Sequence, residues 1–485
     1  MGDMLQTAKD AALRKAPDRT VSDPDGSSWP PAREAWTAAI LLMLAYTLAF
    51  VDRQALALLV QPIKEDLGAS DTAMSLLYGL SFTLFYVIVG IPVAWLADRS
   101  NRRNIIAVSI FVWSLATAAC GMTRSYGGLF AARVAVGTGE GGLSPAAHSI
   151  LADYFPKNRL ALAMGVYNMG VYLGGAGALI LGGLIAGAVP PSSEIAIPML
   201  GTMKGWHIIF LALGIPGALL SLAMLFVREP TRRGGGQKVG EPVGGEKPGR
   251  NGSPSANIGQ LFGQLSTHGR AYFGIIVGFA LMIFVGNGTG AWIPAFLERS
   301  YGMSIAQIGS SYGWMVFFCG TSGALCGGFA GSWLQRRGVP NGNLLAAVIG
   351  FTALIPLTIG FPLMPTAGLA LAGVGGMNFF AGFNFGGGLA TLQSLTPNRM
   401  RAQVSVIYML AINLIGSTLG PTSVALVTDL VFADPSRLGL SISIVCAVAS
   451  PLALAALLFG MSGLPRRKPA RSGARAEYSK RAQNR

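Results

Sequence analysis

Apolar residues recur in long blocks along nearly the whole chain, separated by short polar segments. A helix crosses the hydrocarbon core of a bilayer with roughly 20 apolar residues. About twelve blocks reach that length, at 36–60, 73–95, 104–122, 127–151, 160–189, 205–227, 271–297, 306–330, 343–363, 366–392, 402–427 and 438–461. The pattern breaks once in the interior. From 228 the chain reads "REPTRRGGGQKVGEPVGGEKPGRNGSPS", a Gly-, Pro- and charge-rich run with the composition of a disordered linker. The predicted organisation is a polar segment 1–35, a six-helix bundle 36–227, a linker 228–270, a second six-helix bundle 271–461 and a basic tail 462–485. The fold class is an all-α membrane protein.

Composition agrees. Only 12% of the 485 residues are charged, about half the share usual in soluble domains, and mean hydropathy is +0.52. The net charge of +15 would suggest nucleic acid in a soluble protein, but its placement explains it otherwise. With the amino terminus inside, 29 of the 36 Lys and Arg fall in cytoplasmic segments and only Lys64, Arg124, Lys204, Arg299 and Arg437 in outer loops. That bias is the positive-inside rule, and it predicts both termini in the cytoplasm, with no nucleic-acid partner. The Ala-, Gly- and Arg-rich composition leans towards a bacterial inner membrane. The first 35 residues lack the apolar core of a cleavable signal peptide. Cys120, Cys319, Cys326 and Cys446 lie in apolar runs with no metal-ligand or disulfide spacing.

The two halves repeat. "AWLADRSNRR" at 94–103 follows the second block and "GSWLQRRG" at 331–338 the eighth; "FPKNRLALAMGVY" at 155–167 and "TPNRMRAQVSVIY" at 396–408 sit at a nearly equal offset. Duplicated six-helix halves are the architecture of secondary transporters. The first run resembles the cytoplasmic signature loop of the major facilitator superfamily. "RVAVGTGEGG" at 133–142 and "GVYNMGVYLGGAGALILGG" at 165–183 are similar to that superfamily's fourth- and fifth-helix motifs. Asp-Arg in the first helix combined with Arg-x6-Glu in the fourth resembles the spinster-type branch, whose members are implicated in moving lysophospholipids and sphingosine phosphates. Ala94 and Asn101 replace the two glycines of the signature loop, and Gln335 replaces the aspartate of its second copy. The resemblance implies that Asp98, with Arg99, Arg102 and Arg103, belongs to a cytoplasmic gate that clamps the halves against the start of the eleventh helix. Asp153, at the cytoplasmic end of the fourth, is expected to join it.

Nothing in the chain reads as an enzyme. There is no P-loop, metal cluster or nucleophile elbow, which leaves an ion gradient as the energy source and no cofactor. Four ionisable residues lie deep in spans, Asp52, Arg53, Arg133 and Glu140, and such residues mark ion or substrate paths. Arg133 and Glu140, seven apart, share a helix face about 10.5 Å apart. The adjacent Asp52 and Arg53 do not face each other and need partners elsewhere. Depth matching predicts Asp52 against Arg133 and Arg53 reaching Glu140, a neutral set whose balance shifts when a proton arrives. Glu140 is the first choice for the proton carrier and Asp52 the second. Arg53 and Arg133 are charge partners or meet a substrate head group. His148 reads as a helix–helix hydrogen-bonding residue more than a proton relay.

The second half offers amides and aromatics instead. Asn287, Asn378, Asn384 and Asn413, with Phe379, Phe380, Phe383 and Phe385, predict an amide-bearing aromatic cavity wall. One charged wall and one aromatic wall suit an amphiphilic lipid. They suit an aromatic or sugar-acid anion in a proton symporter almost as well. A substrate-sensing receptor on the same fold would be expected to carry a large folded cytoplasmic domain, which the short tails do not supply. The expected partners are therefore a small-molecule or lipid substrate, protons and the bilayer, for a monomer.

Overall fold

The computed structural model describes residues 29–197, 201–232, 266–384, 387–397 and 400–464. Ten of its helical segments are long and apolar enough to cross a membrane: Ala32–Leu58, Asp71–Ala97, Arg102–Cys120, Leu162–Ala188, Gly205–Met224, Gly269–Tyr301, Ile305–Arg336, Gly342–Leu363, Gln403–Phe432 and Pro435–Ser462. Two further spans, the fourth and tenth in chain order, are interrupted. The fourth runs Tyr126–Glu140 and Leu143–Tyr154, and the tenth runs Ala367–Ala381 and Gly387–Leu395. Together these are the twelve predicted spans, with limits shifted by a few residues. Most of the predicted linker lies outside the described residues.

Short polar side chains set where many spans begin. The side chains of Ser70, Asn101, Ser125, Ser304 and Thr366 each accept a backbone N–H in the first turn that follows, which supplies a partner for an otherwise orphan donor. The duplication is visible at this scale. After the first span a short helix, Val60–Leu67, ends on Gly68 with φ +61°, and Ser70 caps the next helix. After the seventh, Ile293–Tyr301 ends on Gly302 with φ +65°, and Ser304 caps the next. Both glycines occupy the left-handed region that a side chain would strain. Farther on, Arg99 stacks on Trp95 at 3.7 Å and Arg337 on Trp333 at 3.9 Å, each pair one helical turn apart.

Packing repeats as well. Span one lies on five as seven lies on eleven, three on six as nine on twelve, and two on four as eight on ten. The halves meet where five crosses eight and two crosses eleven. Glycine permits both crossings. A Cβ on Gly309 would stand 2.3 Å from the Leu179 carbonyl oxygen, and one on Gly79 would stand 3.0 Å from that of Ser417. Small residues at such crossings let backbones approach where lipid offers no hydrophobic drive for association. Spans eight and eleven also contain π-helical stretches, Val316–Gly320, Ile412–Leu419 and Val427–Phe432, which the hydropathy pattern does not reveal.

A two-stranded antiparallel hairpin, Glu194–Ile197 with Gly201–Lys204, connects spans five and six, and it too is absent from the sequence reading. It is stapled to the short helix Val60–Leu67 that follows span one. Lys204 forms an ion pair with Asp66, and the indole of Trp206 donates to the same carboxylate at 2.8 Å. Partial burial pushes the Asp66 carboxyl up, but the bonds from Lys204 and Trp206 outweigh it and hold the carboxyl below its usual range. A depressed carboxylate adds stability above its unfolded pKa of about 3.9 and loses it as pH falls through the lower folded value. The strand amides 194–197 and 201–204 are therefore expected to keep constant protection, after correction for intrinsic exchange, from pH 7 to about pH 5. They should lose it only at more acid pH, in a step that Asp66→Asn lacks; hydrogen-exchange mass spectrometry measures this.

Candidate functional site

The four intramembrane charges of the first half come together. From the first span, Arg53 turns to the fourth, and its Nε and Nη2 donate to one oxygen of Glu140 at 2.8 and 2.5 Å. The guanidinium is caged by aromatic rings, with Phe82 at 4.4 Å, Phe50 at 4.9 Å and Tyr86 at 5.1 Å from its carbon. Such contacts contribute about 0.5–2 kcal/mol each, more when desolvated. The Arg53 side chain remains 24% accessible while Glu140 is 1% accessible. The second Glu140 oxygen is buried and has no protein hydrogen-bond partner among the described residues.

Asp52 points elsewhere because successive helix residues diverge by about 100°. Its buried carboxylate accepts the Thr117 hydroxyl of span three at 3.0 Å. Arg133 is buried one heptad before Glu140, but its Nη1 donates to the Asp52 backbone carbonyl at 3.3 Å, not to the carboxylate. The expected Asp52–Arg133 ion pair is thus replaced by a carbonyl contact, and Arg133 Nε has no acceptor among the described residues. Phe82 lies under both guanidiniums, at 4.4 Å from Arg53 and 5.6 Å from Arg133, and so spaces two like charges. The glycines of "GTGEGG" bring the neighbours in. A Cβ on Gly137 would stand 2.4 Å from the Phe82 carbonyl oxygen, and one on Gly139 would stand 2.7 Å from Trp113 N. Span four breaks directly after Glu140, at Gly141 and Gly142.

A set of hydrogen bonds and ion pairs joins the halves toward the end opposite the termini. Asp71, fully buried at the start of span two, accepts Lys64 at 2.6 Å and two nitrogens of Arg299 from the second half at 2.7 and 2.8 Å. Arg299 also donates to Gln61 at 2.9 Å. From span eleven, Asp429 accepts both the amide and the hydroxyl of Thr72 at 2.7 Å each. The sequence pattern placed Lys64 and Arg299 only as outer charges, since partners 228 and 357 positions apart leave no local signal. These bonds join the two halves at that end.

Of the predicted gate at the termini end, Arg102 and Arg103 make their bonds within the first half. Arg102 donates to Asp153 at 2.5 Å, to Ser149 at 2.8 Å and to Glu229 at 2.7 Å, and the Arg103 amide donates to Glu229 at 2.9 Å. These contacts staple spans three, four and six of one half. Arg99 lies on Trp95, and the side chain of Asp98 is outside the described residues.

Residues 42–421 match the sequence model of the Major Facilitator Superfamily. The chain belongs to this superfamily. Its fold is similar to the crystal structure of a bacterial homolog of the human lysosomal transporter Spinster, in an inward-facing and unoccupied conformation. The TM-score is 0.71 at 26% identity, over 91% of this chain and 100% of that one. An MFS-type efflux pump of Mycolicibacterium smegmatis is 27% identical over 446 residues, 91% of this chain and 95% of that protein. The probable L-galactonate transporter of Escherichia coli is 26% identical over 306 residues, 62% of this chain and 63% of that one. The protein is thus a multi-pass membrane protein of a transporter superfamily.

The aromatic wall expected in this transporter's second half is arranged differently. Phe379, Phe380 and Phe383 pack on one another with ring centroids 5.2–5.8 Å apart. A Cβ on Gly327 of span eight or Gly350 of span nine would meet Phe383 at 2.5 and 2.4 Å. The rings pack between spans of that half while staying partly exposed, and Phe385 is outside the described residues. Asn378 and Asn413 donate to carbonyls of their own helices, Val374 and Met409, and Asn287 donates to Ser417 across spans seven and eleven. Asn384 keeps a buried oxygen without a partner among the described residues. His148 sits edge-on to Tyr167, which stacks on Tyr46.

Removing one member of a buried ion pair strands the other, at about 3–5 kcal/mol. Arg53→Met is therefore expected to lower stability by an amount of that order, and Arg53→Met/Glu140→Gln to recover most of it. Denaturant unfolding in detergent measures the coupling, and additive single losses would show the pair to be incidental.

Proposed function

We propose that this chain is a proton-coupled transporter of an amphiphilic anion, of the lysophospholipid or sphingosine-phosphate kind, that works by alternating access. The carrying observation is the Arg53–Glu140 pair, with a partly accessible cation on one side and a buried carboxylate with one bare oxygen on the other. A proton on that oxygen neutralises Glu140 and releases Arg53. The freed guanidinium is held in place by Phe50, Phe82 and Tyr86, ready for an anionic head group. With Asp52, Arg53, Arg133 and Glu140 all charged the set sums to zero, so proton uptake and a monoanion balance each other. Asp52, fixed by Thr117, is the second proton site. The aromatic cage supports an amphiphile, and the likeness to the bacterial Spinster homolog supports the spinster-type reading. We assign the termini to the cytoplasmic face of a bacterial inner membrane, the proton gradient as the energy source, and the monomer as the working unit. The state with the halves joined at the far end then opens to the cytoplasm. We assign Asp98, Arg99, Arg102, Arg103 and Asp153 to the gate that acts when that end closes.

A second reading, a sugar-acid or other organic-anion symporter, draws support from the partial-length relative named for L-galactonate transport. It uses the same Arg53 site.

Reconstitution in liposomes tests the mechanism. An imposed pH gradient is expected to drive lysolipid flux in the wild type. Glu140→Gln should abolish the gradient-driven component while retaining exchange between pools of substrate. Full gradient-driven transport by Glu140→Gln removes Glu140 as the carrier. A thermal-shift comparison of lysolipids with galactonate separates the substrates, and stabilisation by the sugar acid alone sinks the lipid reading.

A further inference from the structure

A second polar site lies at the termini end of the first half, away from the transport cluster. A cavity of about 550 Å³ opens between the start of span one, the start of span three and the segment that leaves span six. Three guanidinium groups line it, Arg33, Arg103 and Arg228, against one carboxylate, Glu34. Its walls are fixed. Arg103 donates to the carbonyls of Leu225 and Val227 at 3.2 and 3.4 Å, and the Tyr154 hydroxyl binds the Arg228 carbonyl. Those bonds use the backbone of the 225–228 segment and leave the Arg228 side chain uncommitted. Among the described residues neither Arg33 nor Arg228 is in an ion pair.

The rim adds a second property. Phe226 lines the same cavity and is 90% exposed, and its neighbour Leu225 is 47% exposed. Both follow directly on the apolar span Gly205–Met224, at the level where hydrocarbon gives way to head groups. A basic pocket with one aromatic wall open to the bilayer matches a molecule with a phosphate at one end and acyl chain at the other. Guanidinium groups pair with phosphate oxygens in a fork geometry, and basic pockets between spans on the cytoplasmic side take up anionic head groups.

We propose that this cavity binds the phosphodiester head group of an anionic phospholipid from the surrounding leaflet, with Arg33 and Arg228 on the phosphate and Phe226 along the first part of an acyl chain. The site ties span one to span six within one half, and it does not depend on the role assigned to Glu140. Free inorganic phosphate shares the head-group chemistry but gains nothing from Phe226.

The test uses the full chain purified in a zwitterionic detergent. Thermal unfolding is followed with added phosphatidylglycerol, phosphatidylcholine or inorganic phosphate at matched ionic strength, and native mass spectrometry counts retained lipid. Phosphatidylglycerol is expected to raise the midpoint while the other two do not. Arg33→Gln/Arg228→Gln should lose at least half of that shift and one retained lipid. Arg336→Gln/Arg337→Gln, which removes two charges at the end of span eight outside the cavity, should keep both. Phe226→Ser, at an exposed position that threatens no packing, should reduce the shift as well. Equal loss in the two arginine pairs would mean a diffuse charge effect and overturn the site. So would a shift produced by phosphate alone, or the absence of any preference for phosphatidylglycerol in the wild type.

Discussion

Two helices of the first half are held by a guanidinium and a carboxylate that lipid cannot solvate. Arg53 and Glu140 meet because neither can stay ionised alone at that depth. Much around them follows from that need. Glycines at 137 and 139 draw spans two and three against the carboxylate, and three aromatic rings close over the cation. Phe82 stands between two arginines that would otherwise repel. The pair is strong while both members are charged and loses its reason to exist when one is neutralised. A bond of that kind can both hold a structure and release it.

The ends of the bundle show the complementary constraint. Where the halves touch, the contacts are polar and specific: Asp71 with Arg299, and Asp429 with the first turn of span two. A carboxylate at a helix N-terminus meets unsatisfied amides and the positive end of the dipole. Such contacts form only when the ends come together, unlike lipid-facing apolar surface, which is indifferent to its neighbour. Arg102, Asp153 and Glu229 contribute differently, since they join three spans within one half. Glycines permit the close crossings of spans five with eight and two with eleven, where the halves meet.

Hydropathy and charge by themselves determined the spans, their number, the two-half repeat, and the four residues whose burial had to mean something. These are local properties: a block of twenty apolar residues, or a charge inside one, carries its physical consequence wherever the chain later folds. Seven-residue spacing on one helix put Arg133 and Glu140 on a common face, and depth alone was enough to bring Arg53 to Glu140. Tertiary structure decided the rest, because those choices turn on which face of a helix meets which neighbour. It gave the Asp52 carboxylate to Thr117 and left Arg133 with only a carbonyl. It turned Phe379, Phe380 and Phe383 into packing between spans, and it made an inter-half latch of Asp71, Arg299 and Asp429, residues hundreds of positions apart. A side chain's depth is written in its distance from the span's end; its partner depends on rotations and crossings that the whole bundle sets at once.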